Sequence, residues 1–217
     1  MDYEKKLNRL KNWSLSPEEK ANAKRFLEGE PVINLPPSDI RLPDNSTESR
    51  KAAKKETIAR VRESGEQTIP TPEADIVFGA SGVKKSLNHS INQGKIDAVP
   101  YIPEGIEKGM TIDVSDDLDG NPIKNIHRAL PVKTDTDDDL LVIRAREREG
   151  QEANFYNHAL FKLKELKKRS APNDQPAVAY TSTNLGGQRT DNQGIAHIKN
   201  ILHDILNVKE NDDSTTS

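Results

Sequence analysis

Two neighbouring segments of the chain carry side chains that bind phosphate and exchange protons. Arg144 and Arg146 alternate with apolar residues in one segment, and Tyr156 and His158 do so in the next. Because the side chains of a strand alternate between its two faces, each pair is expected to share a face. If the two strands form a hairpin, guanidinium, phenol and imidazole groups gather on one sheet face, which suits a phosphate group. The competing interpretation is the solvated face of a half-buried sheet.

A second pair of candidate groups lies on the helix predicted after Gly82. Lys85 and His89 are four residues apart, so they share one helix face. Val83 and Leu87 have the same spacing and are expected to face the core. The lysine can stabilise charge and the histidine can act as general acid or base. Such a pair is also common on helix surfaces that have no catalytic role.

The sequence offers no evident metal or cofactor site, and we expect neither. It contains no cysteine, which excludes a disulfide scaffold, a zinc–thiolate site and a cysteine nucleophile. The acid-rich segment Asp113–Gly120 lacks the glutamate that completes a calcium loop, because Ile126 stands at that position. His197 and His203 are six residues apart on a predicted helix, which is not a chelating spacing, and we expect both at the surface.

The elements that must position these groups follow from turn residues and apolar periodicity. Strands are predicted over Asp75–Gly79, Met110–Val114, Ile123–Val132, Leu140–Arg148 and Asn154–Lys164. Helices are predicted over Tyr3–Asn12, Pro17–Gly29, Thr47–Ser64 and the residues after Gly82. Consecutive strands joined by short loops favour a small antiparallel meander with helices on one side, which is an α+β fold.

The composition divides the chain into six segments. We predict a helical N-terminal arm (1–29), a proline-rich linker (30–47), a folded domain (48–168), a mobile polar segment (169–193), a C-terminal docking helix (194–208) and a disordered tail (209–217). The linker holds four prolines, which favour extended backbone. The docking helix carries Ile198, Leu202 and Ile205 at helical spacing, so it needs a surface to pack against.

Four strings of the folded domain follow one another in the chain. They are Ile76-Val77-Phe78-Gly79, Gly82-Val83-Lys84-Lys85-Ser86-Leu87-Asn88-His89, Ile102-Pro103-Glu104-Gly105-Ile106-Glu107-Lys108-Gly109 and Phe155-Tyr156-Asn157-His158-Ala159-Leu160. Together they resemble the large polyvalent protein-associated domains of phages and integrative mobile elements, over about residues 50–168. These domains are grouped with the barnase, EndoU, colicin and RelE superfamily of metal-independent ribonucleases.

The resemblance implies a small antiparallel sheet packed on N-terminal helices, with RNA as the substrate. Metal-free RNA cleavage needs a base for the 2′-hydroxyl proton, an acid for the leaving 5′-oxygen and cations for the phosphoryl oxygens. His89 and His158 fit as the acid and the base, in either order. The catalytic candidates are His89, His158, Lys85 and Tyr156, and the substrate-binding candidates are Arg144, Arg146, His127 and Lys84.

The charge of the chain argues against a strongly basic nucleic-acid binder. The net charge is −3, and residues 75–169 hold 15 Lys/Arg against 16 Asp/Glu. Proteins that bind phosphates usually present a basic surface. The alternative function is therefore a catalytically inactive, nuclease-fold module of a phage or mobile element, which binds a phage or host protein through the N-terminal arm or the C-terminal helix. The third candidate function is an acidic mimic of nucleic acid that inhibits a host DNA-binding enzyme.

The sequence also predicts where the protein acts. No apolar run approaches the ~18 residues of a membrane span, and the charged N-terminus does not read as a secretory signal. We expect the host cytoplasm or a virion-associated location, with RNA and a phage or host protein as partners.

Overall fold

The computed structural model describes residues 14–117, 121–167 and 189–208, with side chains of the last range described from residue 196. The predicted helix Tyr3–Asn12, most of segment 169–193 and the tail 209–217 lie outside the described residues. The helices are α1 (Pro17–Leu27), α2 (Thr47–Ser64), α3 (Ala80–His89), α4 (Gln93–Ala98), α5 (Ile102–Lys108), α6 (Leu163–Leu166) and α7 (Arg189–Leu206), with a 3₁₀ turn at Val99–Tyr101. The strands are β1 (Ile33–Leu35), β2 (Gln67–Pro70), β3 (Asp75–Phe78), β4 (Met110–Asp116), β5 (Ile123–Thr134), β6 (Asp138–Arg148) and β7 (Ala153–Lys162).

In the described part of the chain, the seven strands form one mixed sheet in the order β1-β5-β6-β7-β3-β2, with β4 also paired to β5. The consecutive strands β4, β5, β6 and β7 pair antiparallel with one another, which confirms the predicted meander and the α+β class. β1 and β3 pair in parallel with β5 and β7, and β2 closes the other edge antiparallel to β3.

The N-terminal segments contribute to the fold itself. Ser16 and Glu19 form the expected capping box, in which Ser16 Oγ accepts from the Glu19 amide at 3.2 Å and the Glu19 carboxylate accepts from the Ser16 amide at 2.9 Å. α1 then buries Leu27 completely against the sheet. The segment predicted as a linker is extended, but Ile33 and Leu35 are buried because β1 pairs with β5.

Helices cover both faces of the sheet, whereas the sequence predicts helices on one side. α2, α3 and α5 pack on one face, and α1, α6 and α7 pack on the other. The reason lies in β6, where Leu140, Leu141, Val142 and Ile143 are all buried. Apolar residues at successive positions give a strand two apolar faces, and each face needs a cover. None of the described helices is long and apolar enough to cross a membrane.

A β-bulge in β7 changes which side chains share a face. Ala145 pairs with Phe155, but the preceding residue, Arg144, pairs with Asn157, so Tyr156 has no partner on β6. An extra residue of this kind interrupts the alternation of side chains along the strand. Odd-numbered residues of β7 therefore face one side of the sheet before Tyr156 and the other side after it.

The bulge explains why one expectation from strand periodicity is wrong. Phe155 packs with the core under α3, whereas Phe161 packs with the core under α7, although both residue numbers are odd. His158 consequently lies on the α3 side, where it contacts Ser86. Tyr156 instead packs against Arg144 and Arg146, and its hydroxyl reaches His89 at the very end of α3, so Tyr156 and His158 do not share a face as predicted.

Candidate functional site

Five polar residues follow one another across the sheet and onto the end of α3. Asp113 of β4 is in register with His127 of β5, which is in register with Arg144 of β6. The guanidinium carbon of Arg144 lies 4.7 Å from the ring centroid of Tyr156. The Tyr156 hydroxyl lies 3.2 Å from Nε2 of His89. We call these five residues the cross-strand row.

A second arginine strengthens the positive charge beside Tyr156. The guanidinium carbon of Arg146 lies 3.8 Å from the centroid of the tyrosine ring, within the range of a cation–π contact. Its Nε donates to Asn125 Oδ1 at 3.2 Å, and its terminal nitrogen lies 3.5 Å from Asp117 Oδ1. Tyr156 thus has two guanidinium groups against one ring, a geometry that suits a bound phosphate.

His127 is held as a neutral imidazole at the centre of the row. Its Nδ1 donates to Asp113 Oδ2 at 3.0 Å, and only 3% of the residue is exposed. Burial lowers the pKa of His127, and the nearby charge of Arg144 adds to this effect, while Asp113 opposes it. Nε2 is buried and has no hydrogen-bond partner among the described residues. This nitrogen therefore retains a lone pair that can accept a proton.

Asp113 is kept ionised between two histidines. Burial raises its pKa, but the hydrogen bonds from His127 and from Ser115, at 2.8 Å, and the proximity of His197 together lower it below the ordinary value. Nε2 of His197 on α7 lies 3.5 Å from Asp113 Oδ2. The helix α7 therefore reaches the row and covers the side where His127 lies, so His197 is a contact of the row and not simply the surface residue expected from the sequence.

His158 belongs to a different, fully enclosed network. Its Nε2 donates to the Lys95 carbonyl at 2.9 Å, and its Nδ1 lies 2.9 Å from Ser86 Oγ. Burial lowers the pKa of His158 to about 3, and the charge of Lys95 contributes in the same direction. Both ring nitrogens are engaged and 2% of the residue is exposed, so the structure does not bring His158 to the row.

The two candidate lysines on α3 also stand apart from the row. Lys84 and Lys85 are exposed, and neither makes a side-chain hydrogen bond or ion pair with the described residues. Lys85 shares a helix face with His89, as its spacing predicts. The row therefore unites four of the predicted residues, His89, Tyr156, Arg144 and His127, and Arg146 lies beside it.

Sequence reasoning missed the residues that hold the predicted ones. Asp113 fixes the tautomer of His127, and Asn125 and Asp117 hold Arg146. A carboxylate between Ile112 and Val114 of a predicted strand was a usable signal for Asp113, because an acidic residue inside an apolar strand needs a partner. Within the part of the chain that the structure describes, no cluster of three or more ligating side chains is arranged to hold a metal ion.

The fold and the row define an α+β domain with a curled antiparallel meander and an arginine–tyrosine–histidine site. Residues 47–156, half of the chain, match the family model of Large polyvalent protein-associated domain 3, and the chain belongs to that family. No curated protein and no solved structure matches this chain. The matched segment contains the whole row, whereas α1, β1 and α7 lie outside it.

Proposed function

We propose that this chain is a phage or mobile-element protein whose domain binds RNA and cleaves it without a metal ion. The observation that carries the proposal is the cross-strand row, in which two histidines flank an arginine and a tyrosine. Metal-free cleavage of RNA requires this combination of an acid, a base and cations. The family match supports the phage or mobile-element part of the proposal, and the resemblance of the sequence strings to that nuclease group supports the RNA-cleaving part.

Arg144 and Arg146 bind the phosphate in this proposal. Their guanidinium groups donate to the phosphoryl oxygens and neutralise the charge that develops on them in the transition state. Tyr156 holds both guanidinium groups against its ring and leaves its hydroxyl beside His89. A phosphate bound there lies next to both candidate proton-transfer groups.

His127 is the base and His89 is the acid. His127 takes the proton of the 2′-hydroxyl on Nε2 as the 2′-oxygen bonds to phosphorus, and Asp113 stabilises the imidazolium that forms. The bond from phosphorus to the 5′-oxygen breaks, and His89 gives that oxygen its proton. The products are a 2′,3′-cyclic phosphate and a free 5′-hydroxyl. His158, with its low pKa, has a positioning role beneath α3.

The test is cleavage of total RNA by the purified chain in the presence of a chelator. We expect His89→Ala to lower the cleavage rate by about 100-fold or more, since a positioned acid contributes at least that factor. Asn88→Ala is the matched control, because Asn88 is exposed on the same helix turn. The proposal fails if the wild-type chain cleaves no RNA under these conditions.

A second function, an inactive nuclease-fold module that binds another protein, is favoured by one observation. His127 is 3% exposed, and α7 places His197 against its partner Asp113. A substrate reaches His127 only when the start of α7 moves. Leu202→Ala removes a fully buried contact of α7 and loosens its hold. Faster RNA cleavage by this variant supports a covered enzyme, whereas no cleavage by either form supports the inactive module.

A further inference from the structure

A cleft of about 540 Å³, lined by both apolar and polar side chains, lies along the edge of β7, next to the cross-strand row. β3 pairs with β7 only at Ala153 and Asn154, so the later part of this edge has no strand partner within the described residues. The start of α4 forms one wall, and α6 and α7 form the other. The cleft is large enough for a nucleoside and is reached from solvent along the strand.

Asp139 is the buried acidic group of this cleft. It lines the cleft and is 7% exposed, and its Oδ1 has no hydrogen-bond partner among the described residues. Burial raises its pKa above the ordinary value. A buried carboxylate with an unused acceptor costs free energy unless a ligand supplies the donor. Rotation about χ2 exchanges its two oxygens, so either can face a ligand.

Cationic groups line the same cleft, together with the exposed carboxylate of Glu165. Lys199 of α7 is exposed at its edge, and Lys162 of β7 lies there with its Nζ 2.9 Å from Asp137 Oδ2. His203 stands one helix turn from Lys199. The cleft therefore presents an acceptor in its floor and donors at its rim, which favours a ligand that carries both donors and acceptors.

The cleft adjoins the row through two elements. Ser90 lines the cleft and directly follows His89 of the row. Asn157 lines the cleft and directly follows Tyr156. A nucleotide chain bound at the arginines can continue into this cleft, where Asp139 lies five residues, about 17 Å, from Arg144 along β6.

We propose that this cleft is a nucleotide subsite that takes a guanine base, with Asp139 as the group that reads it; this inference rests on the proposed function. Guanine has two adjacent N–H donors for a carboxylate and two acceptors, O6 and N7, for a lysine. Uracil has a single N–H between two carbonyl oxygens, which a carboxylate repels. Adenine and cytosine each place a ring acceptor beside their amino group, which again opposes a carboxylate.

The experiment is a titration of the full chain with the four nucleoside 5′-monophosphates, followed by NMR or calorimetry. The phosphate is the same in all four, so differences in affinity report the base alone. We expect guanosine monophosphate to bind at least ~10-fold more tightly than uridine monophosphate, as one bidentate pair provides. Asp139→Asn should abolish this preference, whereas Asp138→Asn, a neutralised carboxylate one residue away on the exposed side, should keep it.

Each outcome separates the subsite from the proposed cleavage. Equal affinity of the wild-type chain for the four nucleotides overturns the subsite, and this test does not depend on whether Asp139→Asn folds. A preference for guanosine monophosphate that persists in Asp139→Asn also overturns it. His89→Ala should retain the preference, so base recognition without cleavage leaves the subsite standing while the catalytic proposal fails.

Discussion

Tyr156 connects the residues of the row, because its ring holds the two guanidinium groups and its hydroxyl reaches His89. It is also the extra residue of the bulge in β7. Bulges occur beside functional sites because they redirect one side chain without changing the rest of the sheet. The position of Tyr156 thus follows from a local irregularity, and the row exists only because of it.

His158 gives a prediction about stability and pH. Its folded pKa of about 3 lies below its ordinary value of 6.5, so between these two values the unfolded chain binds more protons than the folded chain. The contribution of neutral His158 is therefore complete above the unfolded pKa and is lost as the pH falls toward the folded pKa. We expect the free energy of unfolding to fall by about 2 kcal/mol between pH 7 and pH 5 from this group.

Denaturant unfolding at the two pH values measures this effect. His158→Gln should flatten the pH dependence, because glutamine cannot take up the proton. Asn88→Gln, an exposed change on α3, is the control and should keep the wild-type dependence. An unchanged pH dependence in His158→Gln would show that other groups, such as His127, account for it.

At the scale of elements, the closeness of α3 to β7 decides where His89 lies. A Cβ at Gly82 would overlap the carbonyl oxygen of Phe155, which is backbone and cannot move aside. Glycine to alanine normally stabilises a helix interior. Here we expect Gly82→Ala to destabilise the fold by about 1–3 kcal/mol, because the helix must move away from the strand.

Thermal or denaturant unfolding measures whether Gly82→Ala lowers or raises the free energy of unfolding. Ser81→Ala, an exposed change at the preceding position, is the control. The same displacement carries His89 away from Tyr156, so RNA cleavage should fall more in Gly82→Ala than in Ser81→Ala. A stabilised Gly82→Ala variant would mean that α3 and β7 are not in close contact.

The antiparallel meander could be predicted from the sequence because its signals are local. Turn residues separate β4 from β5, and the strands that follow alternate polar and apolar side chains. The parallel pairing of β1 with β5 could not be predicted in this way, since it joins segments about a hundred residues apart. The packing of helices on both sheet faces could have been predicted from the apolar run Leu140–Ile143. A strand with one solvated face alternates polar and apolar residues, and this run does not.

The candidate site was predicted in part, and the bulge explains the rest. Arg144, Arg146 and Tyr156 meet as expected because the β6–β7 hairpin forms. The alternation of side chains along a regular strand predicts that His158 shares a face with Tyr156. The extra residue of the bulge shifts this alternation by one position, so the two side chains separate. The contact of His197 with Asp113 depends on where α7 docks, which is a property of the tertiary structure.

At the scale of the whole molecule, charge limits how the protein can bind RNA. The net charge is −3, and two carboxylates lie at the site, Asp113 against His127 and Asp117 against Arg146. A chain of this composition lacks the broad basic surface of a non-specific binder. Binding must then depend on a few placed contacts, and a few contacts release few counterions.

The affinity for RNA should therefore depend only weakly on salt concentration. Two phosphate contacts, from Arg144 and Arg146, give a slope of about −1.4 in a plot of log K against log salt concentration for a single strand. Arg146→Gln should reduce the slope by about 0.7, because it removes one contact. Arg50→Gln, on the exposed surface of α2, should leave it unchanged. Fluorescence anisotropy with a catalytically impaired His89→Ala chain measures the slope without cleavage, and a value several times steeper would show that RNA binds a wider surface than the row.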